Sequence, residues 1–567
     1  MPQRPSSTAV RVRVMARVAC ALAVVGLFGA VASTQRPRFY PDDPIQREPA
    51  SRDAGKAQPY NRPDLFEMID NLLVTVHYDP SGRRAQDINT IDEVPNSSWF
   101  TNRIGTVPVS VDQIVRGPVV GPPPDPSKWV LTREKTAGAH PGFTARDAVG
   151  QTFFLEFDPP PFPEGATAAV AIATKIFWAL GYNQVESFLT TFDPRNATFD
   201  PKATLRRPSG ARTPFTQDDV NAILERVAKN PDGTYRVVAG RLLPGKILGE
   251  FRYEGTRPDD PNDVVPHEHR RELRALRVFG AWTNLTDWKA ANTLDSLRQE
   301  NGRGVVTHYL QDVGSTFGMC NDEHEWDLSW EHFYQGDTTL KRLLSFGFAL
   351  SPWQTVDYVE YPSIGKFEGV RFDPRKWRPQ TPTVAYKEMR DDDAFWAARR
   401  VAAFTDELIR VAVHVGQFSN PAAEKHLADV LIRRRDTIAR TYLTAVNPIV
   451  GPRFDGSTLT FENAAVAAKV ATGDVIYSAD WGLFDNATAA TTPLASTKAA
   501  TTAMSAPAGV PAAAGTFVQV DISAESAAHP AWRQPVRVHF RRDGANWTLV
   551  GLERLPDGPR SAGTATR

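Results

Sequence analysis

The spacing of apolar residues alternates between period two and helical spacing along the chain, which predicts an α+β fold. Alternating apolar positions predict strands over residues 129–132, 143–148 and 152–157. Apolar residues three and four positions apart then predict a helix over residues 166–180, which Gly181 ends. This order of three strands and a helix indicates a β-rich unit in the first half of the chain.

The second half of the chain opens with strand-like segments and continues with a helix and a hairpin. Residues 237–243 and 249–253 are predicted strands that link the two halves. Helical spacing starts at about His269. The hairpin that follows is turned by Asn301 and Gly302, a residue pair typical of two-residue hairpin loops.

Two long helices and a second β-rich region follow the hairpin. Helical spacing extends over about residues 395–415, after three consecutive aspartates, and again over residues 421–443. A hairpin turned by Asp543 and Gly544 lies near the end. Residues 486–515 are rich in Ala, Thr and Pro and carry no packing signal, so a linker or long loop is predicted there.

These patterns divide the chain into five segments. The predicted segments are a signal peptide at 1–32, an N-terminal arm and extension at 33–124, a β-rich lobe at 125–255, a helical lobe at 256–450 and a β-rich C-terminal module at 451–567. The arm is rich in Pro, Arg and Asp, and we expect it to wrap the fold. It precedes a helix predicted over residues 65–77.

The first residues predict export to the periplasm or the medium. Four arginines and no acid precede an apolar run over residues 18–32, which closes on Ala30-Val31-Ala32 as a signal cleavage site does. The run is short for a membrane span, and an uncleaved anchor is the alternative. No other long apolar run follows, so no membrane span is expected after cleavage.

Charge and cysteine content narrow the function classes. The chain has 65 basic and 65 acidic residues, and the signal takes four of the basic ones, so the processed chain carries a charge of about −4. This balance is against nucleic-acid binding, which favours a strongly basic surface. Cys320 is the one cysteine that remains, so the exported fold depends on its core rather than on disulfides.

Two short polar patterns flank the predicted hairpin and carry the candidate chemistry. Asp287 precedes Asn292 by five positions, and Asp312 opens the triplet Asp312-Val313-Gly314 after the second strand. One interpretation is structural: Asp287 ends a helix, Asn292 opens a strand and Asp312 forms a turn. The other interpretation rests on the order of these patterns along the chain.

That order resembles a protein-kinase-like fold over roughly residues 125–445. The Asp-x-x-x-x-Asn spacing is that of a kinase catalytic loop, and the triplet at Asp312 stands where kinases carry Asp-Phe-Gly. The chain resembles atypical kinases of the HipA or spore-coat CotH kind. It is also similar to uncharacterised exported bacterial proteins that share the phrase Val-Pro-Asn-Ser-Ser-Trp-Phe found at residues 94–100.

The resemblance implies a phosphotransferase that binds ATP and Mg²⁺ between two lobes. Asp287 would then be the catalytic base or orient the acceptor hydroxyl, and Asn292 and Asp312 would supply oxygen ligands to the metal. Gly138 and Gly142, in the turn after the first strand, would let backbone amides approach the phosphates. The acceptor, a protein or a glycan, is not indicated.

The third strand departs from the kinase pattern. Kinases carry a lysine there and a partner glutamate on the next helix, whereas this chain has Glu156 and a helix without an acid. Lys135, at the end of the first strand, or Lys175, on the helix, is expected to take the place of the missing lysine. A pseudokinase is therefore a second interpretation. A non-catalytic envelope protein that binds a protein or glycan and an unrelated structural protein are further alternatives.

Other chemistry-bearing residues receive structural interpretations. His267 and His269 alternate like metal ligands, but they follow a proline and precede a charged helix, so a solvated helix start is predicted. Cys320 has no recognisable catalytic partner and is expected to be a small buried residue. Trp326 and Trp330 have helical spacing and are expected in the core.

Overall fold

The computed structural model describes residues 36–61, 64–135, 141–207, 211–319, 331–333, 335–350 and 352–555. The predicted signal peptide, Gly138, Cys320, Trp326 and Trp330 lie outside these ranges. Across the described ranges, no helix combines the length and the apolar character needed to cross a membrane. The fold is mixed α/β, with several sheets and a group of packed helices.

Helices fill the middle of the chain and are sparse at its C-terminal end. In chain order they are α1 (Asp64–Leu73), α2 (Val111–Arg116), α3 (Gly165–Leu180), α4 (Gln217–Leu224), α5 (Arg271–Thr283), α6 (Gly336–Leu344), α7 (Val384–Glu388), α8 (Asp391–Ala402), α9 (Asp406–His414), α10 (Pro421–Leu443) and α11 (Ala464–Ala467).

Strands occur on both sides of the helices and between them. In chain order they are β1 (Trp129–Glu134), β2 (Gly142–Arg146), β3 (Thr152–Phe157), β4 (Ser187–Phe192), β5 (Ala197–Phe199), β6 (Thr204–Arg206), β7 (Arg212–Pro214), β8 (Tyr235–Arg241), β9 (Lys246–Gly249), β10 (Thr293–Glu300), β11 (Arg303–Leu310), β12 (Ile449–Phe454), β13 (Thr458–Asn463), β14 (Ile476–Phe484), β15 (Thr491–Ala499), β16 (Ala503–Ser505), β17 (Phe517–Glu525), β18 (Val536–Asp543) and β19 (Asn546–Arg554).

The N-terminal sheet has its own hydrophobic core. Its six strands follow the order β4-β8-β3-β2-β1-β5, in which β1 and β5 are parallel and the other neighbours are antiparallel. Phe143, Phe157 and Phe192 lie in this core together with Val220 and Ile223 of α4. Helix α4 therefore packs against the sheet and contributes to its core.

A three-stranded sheet, ordered β11-β10-β9, holds the predicted hairpin. Asn301 and Gly302 both have positive φ angles, 50° and 77°, as a two-residue turn between twisted strands requires. The strand predicted at residues 249–253 was placed too late in the chain, because the pairing with β10 is made by Lys246–Gly249.

The N-terminal arm wraps this sheet, as its composition predicts. Ala54 N donates to Gly304 O at 2.9 Å, and Tyr60 N donates to Leu248 O at 2.7 Å, so the arm follows both edges. Further upstream, Phe39 packs against Phe484 in the C-terminal sheet. The arm thus contacts parts of the chain that are 188 to 445 residues away.

The C-terminal strands form two sheets, ordered β12-β13-β16 and β15-β14-β17-β18-β19. Their apolar residues and those of the helices belong to one hydrophobic core. The prediction of a linker or loop over residues 486–515 is wrong, because β15 and β16 lie within it. Strand β15 is an edge strand with mostly exposed small side chains, and main-chain pairing with β14 holds it without an apolar pattern.

The helix predicted over residues 395–415 is two helices, α8 and α9. Phe404 is buried between them, and the Thr405 side chain accepts a hydrogen bond from Leu408 N, which starts α9 as an N-cap. The apolar residues on both sides keep helical spacing across the break, and for that reason the pattern alone predicts one helix.

A buried ion network joins α5 to α8. Arg271 contacts Asp393 at 2.9 Å, Asp392 at 3.4 Å and Asp92 at 2.9 Å, and Arg274 contacts Asp393 at 3.1 Å. These side chains are almost entirely buried. The aspartates predicted to cap a helix therefore neutralise arginines in the interior, where an unpaired charge is costly.

Candidate functional site

The loop between α5 and β10 places Asp287 and Asn292 together. Asn292 Nδ2 donates to Asp287 O at 2.7 Å, and Asn292 O accepts hydrogen bonds from the backbone N–H groups of Gln311 and Asp312, both at 3.0 Å. The two ends of the hairpin β10–β11 are therefore tied to each other. Because the side-chain nitrogen of Asn292 donates to Asp287 O, its side-chain oxygen is the atom that can act as an acceptor or a metal ligand.

The charge of Asp312 is affected by carboxylates from distant parts of the chain. Asp312 is exposed to solvent, but surrounding protein atoms still desolvate its carboxyl group. Desolvation and the carboxylate of Glu156 raise the pKa of Asp312, and Asp287 adds to the rise. The backbone N–H of Gly314, which donates to Asp312 Oδ1 at 3.0 Å, and the charge of Lys135 oppose it.

The three carboxylates, Glu156, Asp287 and Asp312, come from two different parts of the fold. Glu156 lies on β3 of the N-terminal sheet, whereas Asp287 and Asp312 flank the hairpin of the three-stranded sheet. Mutual repulsion disfavours three carboxylates at one place unless cations balance them. Two lysines are present, Lys135 at 2.9 Å from Glu156 and Lys289 at 3.1 Å from Asp287. The described groups leave an excess of negative charge that a bound cation would offset.

Lys135 and Lys175 differ in position. Lys135 pairs with Glu156 at 2.9 Å, and its role as the substitute lysine stays a prediction. Lys175 is buried, and its Nζ donates to Arg116 O at 2.9 Å. Burial lowers the pKa of Lys175 to about 8.

Gly142 is required by strand packing. A Cβ at this position would lie 2.1 Å from Leu155 O on β3, so only glycine fits the close approach of β2 and β3. Its neighbour in the predicted phosphate turn, Gly138, lies outside the described residues. The backbone approach to a phosphate therefore stays a prediction.

The donor set fits a hard cation that shares its coordination with a ligand. Among the described residues, no three His, Cys, Asp or Glu side chains are grouped to hold a metal ion by themselves. A backbone hydrogen bond holds Asp312 and Asn292 as neighbours, and each residue has a side-chain oxygen; Mg²⁺ commonly takes one or two protein oxygens together with phosphate and water. The residues present thus fit a metal that binds together with a phosphate group.

Glu67, on α1, is a site residue that the sequence does not reveal. Its Oε1 accepts a hydrogen bond from Ala290 N at 2.7 Å, inside the loop that joins Asp287 to Asn292. The apolar spacing of α1 predicts the helix, but it predicts neither its partner nor that Leu65 and Leu73 are exposed. Desolvation raises the pKa of Glu67 to about 7, and the neighbouring acids Glu250 and Glu254 contribute.

Glutamine at position 67 is expected to stabilise the protein at pH 8 and to have little effect at pH 5. A carboxyl whose pKa is raised from 4.5 to about 7 by folding favours the folded state when protonated, so its contribution falls as the pH rises from about 4.5 to about 7. Glu67→Gln keeps an acceptor for Ala290 N without this cost. The expected gain, reduced for partial exposure, is about 1–2 kcal/mol at pH 8.

Urea unfolding at pH 5 and pH 8 measures this gain, with Asp42→Asn, an exposed acid of the arm, as the matched control. Equal midpoints for Glu67→Gln and the wild type at pH 8 would contradict the burial of an unfavourable charge in the loop.

The pair His267 and His269 is not the solvated helix start that the sequence predicts. Both rings are buried in a short 3₁₀ turn before α5. His267 Nε2 contacts Asp263 Oδ2 at 2.7 Å, and His269 Nδ1 contacts Arg274 Nη2 at 2.7 Å. Charged sequence neighbours suggest exposure, but here the charges pair with each other in the interior.

Comparison with known proteins gives only distant matches. No family model matches the chain, and no curated protein matches it. A crystal structure of the Golgi casein kinase aligns with a TM-score of 0.29 and 9% identity over 58% of this chain and 73% of that chain. The structure of the same kinase with Mn/ADP bound aligns with a TM-score of 0.30 and 10% identity over 70% and 94%. A likeness at these TM-scores carries no information about the candidate site.

Proposed function

We propose that this chain is an exported, two-lobed, kinase-like protein that binds a nucleotide and a divalent metal between its lobes. The observation that carries the proposal is that hydrogen bonds tie Asn292 to Asp287 and to Asp312 at the base of the hairpin, while the charges of Glu156 on β3 and of Asp287 both raise the pKa of Asp312. Export to the periplasm or the medium is proposed from the predicted signal peptide at residues 1–32.

The residues have complementary roles in phosphoryl transfer. Asn292 and Asp312 would hold a Mg²⁺ ion, which neutralises charge on the phosphate oxygens of ATP when it is bound. Asp287 would orient the acceptor hydroxyl and accept its proton, and Lys289 would keep that carboxylate in place. Lys135 would face the phosphates from the opposite sheet.

The pair of Lys135 and Glu156 favours weak transfer or none. In kinases a lysine on the third strand contacts the phosphates and a helix glutamate orients it. In this chain the third strand supplies the glutamate, the lysine comes from the first strand, and α3 carries no acid. A pseudokinase that binds nucleotide without efficient transfer is consistent with this exchange.

A non-catalytic envelope protein on the same scaffold is the second candidate. It is favoured by the 2.9 Å ion pair of Lys135 and Glu156, because Glu156 neutralises the positive charge that a triphosphate would need. Such a protein would bind a protein or glycan ligand and would not respond to nucleotide.

A thermal-shift experiment separates the two candidates. We expect MgATP at about 100 times its Kd to raise the melting temperature by roughly 2–4 °C, because ligand that binds only the folded state stabilises it. Mg²⁺ alone and ATP with EDTA are the controls and should each give a smaller shift. No shift with MgATP, MgADP or the Mn²⁺ complexes would reject nucleotide binding and leave the second candidate.

A further inference from the structure

A small polar cavity borders β11 and shares no lining residue with the candidate nucleotide site. It has about 20 Å³ of space for the centres of water-sized molecules and is partly open to solvent. The charged and aromatic residues that line it are Glu48, Trp99, Asp260, Asp263, Arg270 and His308. Trp99 belongs to the phrase at residues 94–100 that the proposed function does not use.

His308 presents an unused acceptor to this cavity. It is almost fully buried on β11, and its Nδ1 contacts Oδ1 of its cross-strand neighbour Asp295 at 2.7 Å. A carboxylate can only accept, so Nδ1 carries the hydrogen and Nε2 of the neutral ring is an acceptor. Within the described part of the chain, Nε2 is buried and has no hydrogen-bond partner.

Asp263 presents a second unused acceptor. Its Oδ2 accepts hydrogen bonds from Arg257 N at 2.6 Å and interacts with His267 at 2.7 Å. Its Oδ1 is buried and makes no hydrogen bond to any described residue, and the nearest cationic group is Arg270 Nη2 at 3.8 Å. A buried acceptor without a donor costs free energy, so both atoms favour a ligand that brings N–H groups.

The aromatic ring in the wall is already covered. The Trp99 ring stacks on the His308 ring with centroids 3.5 Å apart, and the Arg270 guanidinium lies 4.8 Å from the Trp99 centroid. Trp99 therefore offers no free face for an apolar ligand or for a cation held by the ring alone. Recognition in this cavity has to come from hydrogen bonds and charge.

The charge of the cavity points to a cation. Glu48, Asp260 and Asp263 are faced by one lining arginine, Arg270, which is shared with Glu48 at 3.2 Å. Burial raises the pKa of Asp260, whereas desolvation of Asp263 is outweighed by its polar partners, His267 foremost, so that its pKa is lowered and its charged form is favoured. Because His308 Nε2 and Asp263 Oδ1 are buried without a hydrogen-bond partner among the described residues, a cation that brings N–H groups fits this wall.

We propose that this cavity binds a small primary ammonium cation, with His308 Nε2 and Asp263 Oδ1 as its hydrogen-bond acceptors. Its N–H groups satisfy both buried acceptors, and its charge offsets the acids of the wall. The site is formed by the arm, the segment at residues 94–100, the segment at residues 260–270 and β11, and it shares no lining residue with the proposed nucleotide site.

Titrations with four chloride salts at equal ionic strength test this site in the full-length protein. Ammonium and methylammonium carry N–H donors, tetramethylammonium carries the same charge without them, and sodium controls for salt. We expect the first two to raise the melting temperature by at least about 2 °C at concentrations well above their Kd. Tetramethylammonium should act like sodium.

Two variants locate the effect, and each outcome decides the proposal. Asp263→Asn is expected to weaken methylammonium binding by about tenfold or more, because a charge-assisted bond is lost. Asp260→Asn, which keeps an acceptor for Asn262 N, gives a second reading if the first variant does not fold. Selective stabilisation that these variants weaken supports the site. Equal melting-temperature shifts with all salts would overturn the proposal, because the cavity would then hold water only. Selectivity that the folded variants leave unchanged would overturn it as well.

Discussion

Asparagine in place of Asp312 is expected to lower the affinity for MgADP by about a hundredfold or more while leaving the folded protein at least as stable as the wild type. Substitution of groups that only support a metal ligand costs 10–100-fold in affinity, so loss of the charged ligand itself should cost no less. Stability should not fall, because the pKa of Asp312 is raised by desolvation, Glu156 and Asp287, which means that its charge is unfavourable in the free protein.

Calorimetric titration with MgADP and a thermal melt without ligand measure the two halves of this prediction. Asp312→Asn preserves an acceptor for the backbone N–H of Gly314, so the turn should remain intact. Asp218→Asn, an exposed acid of α4 on the N-terminal sheet, is the control and should bind as the wild type does. Unchanged affinity in the Asp312 variant would remove the residue from the site.

Methionine in place of Arg271 is expected to destabilise the protein by about 3–5 kcal/mol, the largest effect on stability that we predict. Arg271 is fully buried and contacts Asp92, Asp392 and Asp393, so its loss leaves carboxylates in the interior with fewer cations. Arg274 still contacts Asp393 at 3.1 Å and limits the loss.

Urea unfolding gives the size and the cause of this loss. Arg440→Met, at an exposed position of α10, is the matched control and should change the free energy of unfolding by no more than about 0.5 kcal/mol. Adding Asp393→Asn to Arg271→Met should recover part of the stability, since one unpaired charge is then removed. If Arg271→Met unfolds at the same urea concentration as the wild type, the ion network that joins α5 to α8 does not stabilise the fold.

Local patterns predict the elements of this fold where packing and pattern agree. Strand β3 has the bounds that its alternating residues predict, and α3 begins one residue before the predicted start. The hairpin β10–β11 follows from the pair Asn301 and Gly302, because a turn with two positive φ angles needs such residues.

The failures occur where the stabilising contacts are distant in sequence. Strand β15 has no apolar pattern because its side chains are exposed and its main chain pairs with β14. His267 and His269 are buried because Asp263 and Arg274 pair with them, which spacing cannot reveal. Charged residues that are close in sequence indicate exposure only when the fold does not pair them with opposite charges in the interior.

The candidate site also combines contacts that are local in sequence with contacts that are distant in sequence. Asp287 and Asn292 are joined by a hydrogen bond across one short loop, so their spacing is sufficient to predict that they lie together. The effect of Glu156 on the pKa of Asp312 depends on how two sheets are arranged, and only the resemblance to kinases predicts that these residues act at one site. Glu67 reaches the loop from a helix 220 residues earlier, and no motif marks it.

Anomalous diffraction from crystals grown with Mn²⁺ and ADP tests most directly whether Asp312 and Asn292 share a cation. We predict one manganese peak about 2 Å from a carboxylate oxygen of Asp312 and from the side-chain oxygen of Asn292, with ADP phosphate oxygens completing the coordination. Manganese and ADP bound at a different place, with Asp312 and Asn292 contacting neither, would contradict the account.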